Sequence, residues 1–278
     1  MNDGVLAIQT ENLTRRFGDL IAVDRLDLNV TRGIIFGFLG PNGAGKTTTI
    51  NMLTSLLPPT AGTARVSGFD IQREPLEVKR RIGVVPEGLS LYERLTANEQ
   101  IELVARLHGL GSAEIERRIP PLLDMLELED SADKMILDYS HGMRKKTALA
   151  CALIHAPEIL FLDEPFEGID PISTRAVKEV LRDMVERRGT TVFFSTHVME
   201  LAERFCDQVG IINRGQLVGM GSIAELRQRA SLSDDAPLED VFIHTVGAEV
   251  EDEGLLDWLT GEGTPLERQP AAEEATEG

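Results

Sequence analysis

Hydrophobic and polar positions alternate with two different periods along this chain, and the period switches twice. Residues 5 to 30 alternate in twos ("VLAIQT", then "LDLNV"), which predicts strands. "IIFGFLG" at 34–40 is a short apolar run ending in glycine, the pattern of a strand buried on both faces. A helix is predicted from Gly45 to about Leu57, stopped by Pro58-Pro59. "RIGVVPE" at 81–87 reads as another strand. From about 90 to 156 the period becomes helical. Thr96-x-x-Glu99 is a capping box, and Ile101, Val104 and Leu107 follow on one face. A second helix starts near Ser112, with a kink or a break expected at Pro120-Pro121. A third runs from Gly142 to Ala156. Strands return with "EILFLDE" (158–164) and "TVFFST" (191–196). Between these two strands Asp170-Pro171 forms an N-cap and N1 pair, opening a helix. "QVGIINRGQLVGMG" predicts a hairpin turning at Asn213–Gly215, and "LEDVFIHTV" (238–246) a last helix. The order predicts an α/β sheet lobe with a helical lobe inserted at about 90–156.

Composition narrows the classes. The chain has 278 residues, 42% of them hydrophobic, enough for a substantial core. Net charge is -18, which argues against a general nucleic-acid binder and predicts no nucleic-acid partner. The segment 248–278 holds ten acids against one base, Arg268, and is expected to be a partly disordered, solubilising tail beyond a domain spanning 1–247. Cys151 and Cys206 are too few for a disulfide framework, which favours a cytosolic setting. The N-terminal "MNDGVLAIQTENL" lacks the basic head and apolar stretch of a signal peptide. No apolar run reaches the roughly 18 residues of a membrane span, so work at a membrane requires another chain to cross it.

The candidate chemistry sits at strand ends. "GPNGAGKTT", comprising Gly40, Pro41, Asn42, Gly43, Ala44, Gly45, Lys46, Thr47 and Thr48, fits G-x-x-x-x-G-K-[ST] between a predicted strand and a predicted helix. Backbone N–H groups there wrap phosphates, Lys46 reaches the outer ones, and the Thr47 hydroxyl suits magnesium. "ILFLDE" ends in Asp163, placed to hold magnesium through water, and Glu164, placed to orient or deprotonate an attacking water. Glu87 follows "IGVV", and His197 follows "TVFFS" as a donor for a γ-phosphate. Phe17 follows the first strand, either as a platform for adenine or as core packing. In open parallel sheets, ligands bind outside the carboxyl ends of the strands, where Gly40, Glu87, Asp163 and His197 all fall.

"YSHGM" at 139–143 opens a helix, a second anion site far in sequence from the first. With the other motifs it makes the sequence, from about Val5 to Gly247, resemble the ATP-binding subunit of an ABC transporter, in a drug-efflux-like branch. The resemblance implies a P-loop NTPase fold: a RecA-like mixed sheet with an antiparallel β subdomain and an inserted α-helical subdomain. It implies ATP and Mg2+ as ligands, ATP hydrolysis and a membrane-spanning permease that places the chain on the cytoplasmic side of the membrane. It also implies a second ATPase subunit arranged head to tail. Ser140 and the Gly142 backbone then face the other subunit's γ-phosphate, and Asp170 lies in the loop that crosses the dimer seam. "LSLYERLT", near Glu87, would face the permease. Four positions depart from the family pattern: Tyr139, His141 and Met143 in the usual Leu-Ser-Gly-Gly-Gln, and Glu87 where glutamine is usual. A carboxylate at 87 either ligates magnesium more directly or keeps a proton among like charges. The rival readings are a nucleic-acid machine of the same superfamily and a P-loop kinase. The first lacks its coiled coils and metal cysteines here, and the second has no use for Ser140, Glu164 and His197.

Overall fold

In the computed structural model the described residues are 6–246. The acidic tail expected at 248–278 lies outside them. Eleven strands and nine α-helices occupy the described part. One sheet is antiparallel: β1 (Leu6–Phe17), β2 (Leu20–Leu26), β5 (Ala61–Val66) and β6 (Phe69–Asp70) run in the order β2-β1-β5-β6, with β3 (Asn29–Thr31) also paired to β1. The other contains β4 (Ile35–Leu39), β7 (Ile82–Val85), β8 (Ile159–Asp163), β9 (Thr191–Thr196), β10 (Gln208–Asn213) and β11 (Gln216–Gly221), in the order β11-β10-β4-β9-β8-β7. All its pairs are parallel except the β10–β11 hairpin. This is the mixed sheet plus antiparallel subdomain that the family resemblance implies.

The parallel strands are buried on both faces, which explains their unbroken apolar runs. Every residue of β4, β8 and β9 is buried. Their alternation separates two cores. Phe36, Phe38, Phe161 and Phe193 pack with Ile50 and Leu53 of α1 (Lys46–Leu53) and with Val23, Leu26 and Val66 of the antiparallel sheet. Ile35, Leu160, Leu162, Val192 and Phe194 point the other way, into the helices α3 (Ala97–Leu107), α4 (Ser112–Met125), α5 (His141–Leu153) and α6 (Pro171–Arg188). The predicted capping box at Thr96 and Glu99 is formed, and α3–α5 lie between β7 and β8 in the chain.

The structure refines the expectations at one helix end and one helix interior. The first helix ends at Leu53, not Leu57. Ser55 takes a left-handed φ of 57°, and the N–H groups of Leu56 and Leu57 turn back to the Asn51 carbonyl. Of the kink or break expected at Pro120-Pro121, the break does not occur: α4 runs through both as one helix. The prolines are exposed, so the carbonyls they leave unpaired face water. The buried face of Ile115, Ile119, Leu122 and Leu123 holds the helix together. The periodicity did not reveal the seven-residue helices α2 (Pro75–Arg81), α7 (Met199–Phe205) and α8 (Ile223–Arg229). The last helix, α9 (Leu238–Val246), stands as predicted.

Candidate functional site

The glycine-rich loop joins β4 to α1, and two backbone approaches shape it. A Cβ on Gly40 would stand 2.3 Å from the Ile212 carbonyl oxygen, and one on Gly45 2.5 Å from that of Ala22. Gly45 also holds a φ of 106°, which a side chain would strain. The loop is further braced by Gly215, whose N–H donates to the Ala44 carbonyl at 2.9 Å. The first-turn N–H groups of α1 have no acceptors within the helix and open outward. This is a phosphate cradle by construction: free donors at a positive helix end, with no side chain in the way.

A cavity of about 600 Å3 lies over the loop. Asn42, Gly43, Gly45, Lys46, Thr47 and Thr48 line it, with Phe17, Glu87 and Glu164. Phe17 is the last residue of β1 rather than a residue beyond it, and is 45% exposed. The Arg15 guanidinium sits 4.5 Å from the centroid of its ring and donates to the Pro58 carbonyl at 2.8 Å. The exposed ring is not core packing, which removes one of the two readings of Phe17.

The charged centre is compact. Lys46 Nζ donates to the Gly40 carbonyl at 2.9 Å and lies 3.3 Å from Glu164 Oε1. His197 Nδ1 approaches the same oxygen at 3.1 Å. Lys46, Asp163 and Glu164 are buried, whereas the His197 side chain is 41% exposed. Ser195, wholly buried on β9, donates its hydroxyl to Asp163 Oδ1 and accepts the Glu164 N–H at 3.1 Å. That second bond holds Glu164 in a left-handed φ of 46°. The donor set suits a hard cation: a Thr47 hydroxyl and an Asp163 carboxylate, beside a cradle for phosphates that would complete the shell. Among the described residues no cluster of three His, Cys, Asp or Glu forms a metal cage from protein alone.

Ser140, Gly142 and Asp170 do not line this cavity. Ser140 is exposed and caps α5, accepting the Met143 N–H at 3.2 Å. A Cβ on Gly142 would meet only the Ser140 hydroxyl, at 4.0 Å, so the approach to this helix start is open. Asp170 is exposed and accepts the N–H groups of Ile172 and Ser173 at 3.0 Å each, the N-cap predicted for α6. These bonds, that from Ser173 foremost, pull its carboxyl below the ordinary aspartate range.

Sequence reasoning missed Ser195, Ala22, Arg214 and Gly215. Only Ser195 carried a signal, a small polar residue inside "TVFFST" that must find a partner once buried. Leu20 and Ile21 also line the cavity, 66% and 39% exposed, an apolar shelf beside Phe17.

The family model described as "ABC transporter" matches residues 23–167. The daunorubicin/doxorubicin resistance ATP-binding protein DrrA of Streptomyces peucetius is 41% identical over 221 residues, covering 80% of this chain and 67% of that protein. An ATP-binding subunit of an ABC transporter of known structure superposes with a TM-score of 0.81 at 31% identity, over 86% of this chain and 99% of that one. The dimeric post-hydrolysis state of the ATP-binding cassette MJ0796, bound to ADP and Pi, superposes at 0.72 with 26% identity, over 78% of this chain and 98% of that one. The chain therefore belongs to the ABC transporter family, as an ATP-binding and ATP-hydrolysing subunit.

Proposed function

We propose that this subunit powers export through a membrane-spanning permease, binding ATP and Mg2+ in the cavity over the Gly40–Thr48 loop. The convergence of Lys46 Nζ and His197 Nδ1 on one oxygen of Glu164 carries this reading. It puts a cation, a hydrogen-bonding imidazole and a carboxylate at the mouth of one phosphate cradle. Adenine stacks on Phe17, whose other face is held by Arg15. The loop amides and Lys46 bind the phosphates. Glu164 aligns the attacking water and takes up its proton, and His197 donates to the γ-phosphate. Thr47 and Asp163 hold Mg2+, with Glu87 beside them, and the ion when bound neutralises phosphate charge.

Ser140 and Gly142 serve the γ-phosphate held by a second copy or a paralogue packed head to tail, with Asp170 at the seam. Their open helix start outside the chain's own cavity supports this, as does the dimeric MJ0796 structure. Among the described residues no helix is long and apolar enough to cross a membrane. A groove between the sheet and the helical lobe, lined by Leu56, Pro86, Ser90, Leu91 and Val104, receives the permease on the cytoplasmic side of the membrane. The name of DrrA, a daunorubicin/doxorubicin resistance ATP-binding protein, supports the outward direction.

The test is the mass of purified Glu164→Gln by light scattering, with and without ATP. A shift from monomer to dimer that Ser140→Ala abolishes is the expected result. A dimer indifferent to ATP, or one that survives Ser140→Ala, would overturn the head-to-tail site.

A further inference from the structure

Lys145 is 6% exposed, and its ammonium reaches no side-chain carboxylate. Nζ donates instead to two main-chain carbonyls, that of Glu164 at 2.9 Å and that of Glu167. The Glu164 carbonyl also accepts the Glu167 N–H, at 3.3 Å. The lysine thus closes both ends of the turn that carries the catalytic carboxylate. Its stem shares a small void with Val85, Leu149, Leu162, Pro165 and Val177, a place where an apolar residue would pack at no electrostatic cost. Burial pushes the ammonium pKa down, and Glu167, Glu164 and Glu87 hold its charge in place.

A second contact joins the same two segments. The His141 ring, in the first turn of α5, lies against Gly168. A Cβ there would come within 3.0 Å of His141 Cδ2, and Gly168 has a φ of 69°. Helix α5 therefore touches the segment 164–170 at its first residue and again at its fifth. The same helix is capped by Ser140, and the same segment ends at Asp170.

We propose that Lys145 is the positioning residue for Glu164, and that through it the phosphate state at Ser140–Gly142 is felt by the catalytic carboxylate of the same chain. The inference rests on the roles given above to Glu164 and to the α5 start. A ligand that draws on the first turn of α5 displaces Lys145 with the helix, and the two carbonyls follow. Each subunit's hydrolysis is then gated by the nucleotide whose γ-phosphate its own α5 holds, and His141 on Gly168 limits the play in the linkage.

The test uses the full-length chain as Lys145→Met, which keeps the stem and removes the donor, and Lys145→Arg, which restores a charged donor. Steady-state ATP hydrolysis and hydrogen exchange are measured, exchange being taken with and without a non-hydrolysable ATP analogue. For Lys145→Met, KM for ATP is expected within about threefold of wild type while kcat falls about tenfold or more. Exchange at 164–170 rises severalfold, and the analogue no longer protects it in step with 140–145. Lys145→Arg recovers at least about a third of kcat. Wild-type kcat and wild-type exchange in Lys145→Met would overturn the proposal. So would faster exchange across all of α3–α5, which marks a merely structural lysine. If the wild type shows no ATP turnover, the proposed function fails instead, and the exchange measurements still decide the link. If Lys145→Met does not fold, Lys145→Gln is measured in the same way. Failure of the Met, Gln and Arg variants alike to fold assigns the residue to structure alone.

Discussion

Glu164 Oε1 lies 3.3 Å from Lys46 Nζ, each side chain less than a tenth exposed. A buried ion pair of this kind is poised rather than inert, because each charge is costly without the other. Nucleotide phosphate would compete for the lysine and release the carboxylate toward water. Glu164→Gln keeps the shape and removes the acceptor of the proton. ATP affinity is expected to stay within about threefold while kcat falls by about a hundredfold or more, read from nucleotide titration and phosphate release. Turnover near wild type would remove Glu164 from the role assigned to it.

Ser195 bridges Asp163 and the Glu164 N–H from a wholly buried position. Ser195→Ala leaves that N–H without an acceptor and lets a strained residue relax. A loss of about 1–3 kcal/mol in urea unfolding is expected, with a Tm lower by several degrees. kcat should fall as well, because the turn loses its anchor. An unchanged urea midpoint would mean that the backbone finds another acceptor.

Glu87 lines the nucleotide cavity on the exposed residue just past Pro86, after β7. Glu87→Gln removes a negative charge near Asp163 and Glu164. The magnesium concentration for half-maximal turnover should shift by more than the ATP affinity does. Superimposable magnesium titrations would count against any part for Glu87 in holding the ion.

His155 and His108 stack with ring centroids 3.7 Å apart, and His155 Nε2 lies 2.9 Å from the Ile82 carbonyl. Burial above all, then the neighbouring His108, pushes the His155 pKa down to about 4. In the unfolded chain it returns to about 6.5, so between these values the unfolded state binds more protons. The stability contributed by neutral His155 is whole above about pH 6.5 and is lost as pH falls toward 4. After allowance for solvent screening the loss is on the order of 1–2 kcal/mol. The Tm difference between wild type and His155→Gln, followed from pH 7 to 4, should change in that window, with wild type losing more. A difference flat with pH would refute the assignment.

Much of this site was legible because its chemistry sits where strand periodicity ends. Gly40, Asp163, Glu87 and His197 each follow a run of apolar residues, and a parallel sheet gathers such ends on one edge. What could not be read were partnerships between segments remote in sequence. Ala22 and Ile212 crowd the loop most closely through backbone oxygens, which any residue would supply. Lys145 reads as one of three basic residues at the head of a helix until its buried carbonyl partners are seen. The short helices α2, α7 and α8 hold too few turns for a periodic stripe, and packing rather than propensity makes them. Pro120-Pro121 does not end α4 for the complementary reason: local cost is outweighed by a buried face.

The Gly40–Thr48 loop has no shape of its own. The Ala22 carbonyl comes from the antiparallel sheet, and the Ile212 carbonyl and Gly215 N–H from the β10–β11 hairpin, so two distant stretches must be in register with the loop before the cradle exists. An unfolded or half-folded chain has no affinity for nucleotide to offer. Saturation is therefore coupled to the whole fold, and at a hundred times the dissociation constant it adds about 2.7 kcal/mol to global stability. ATP acts on this chain as a stabilising ligand as well as a fuel.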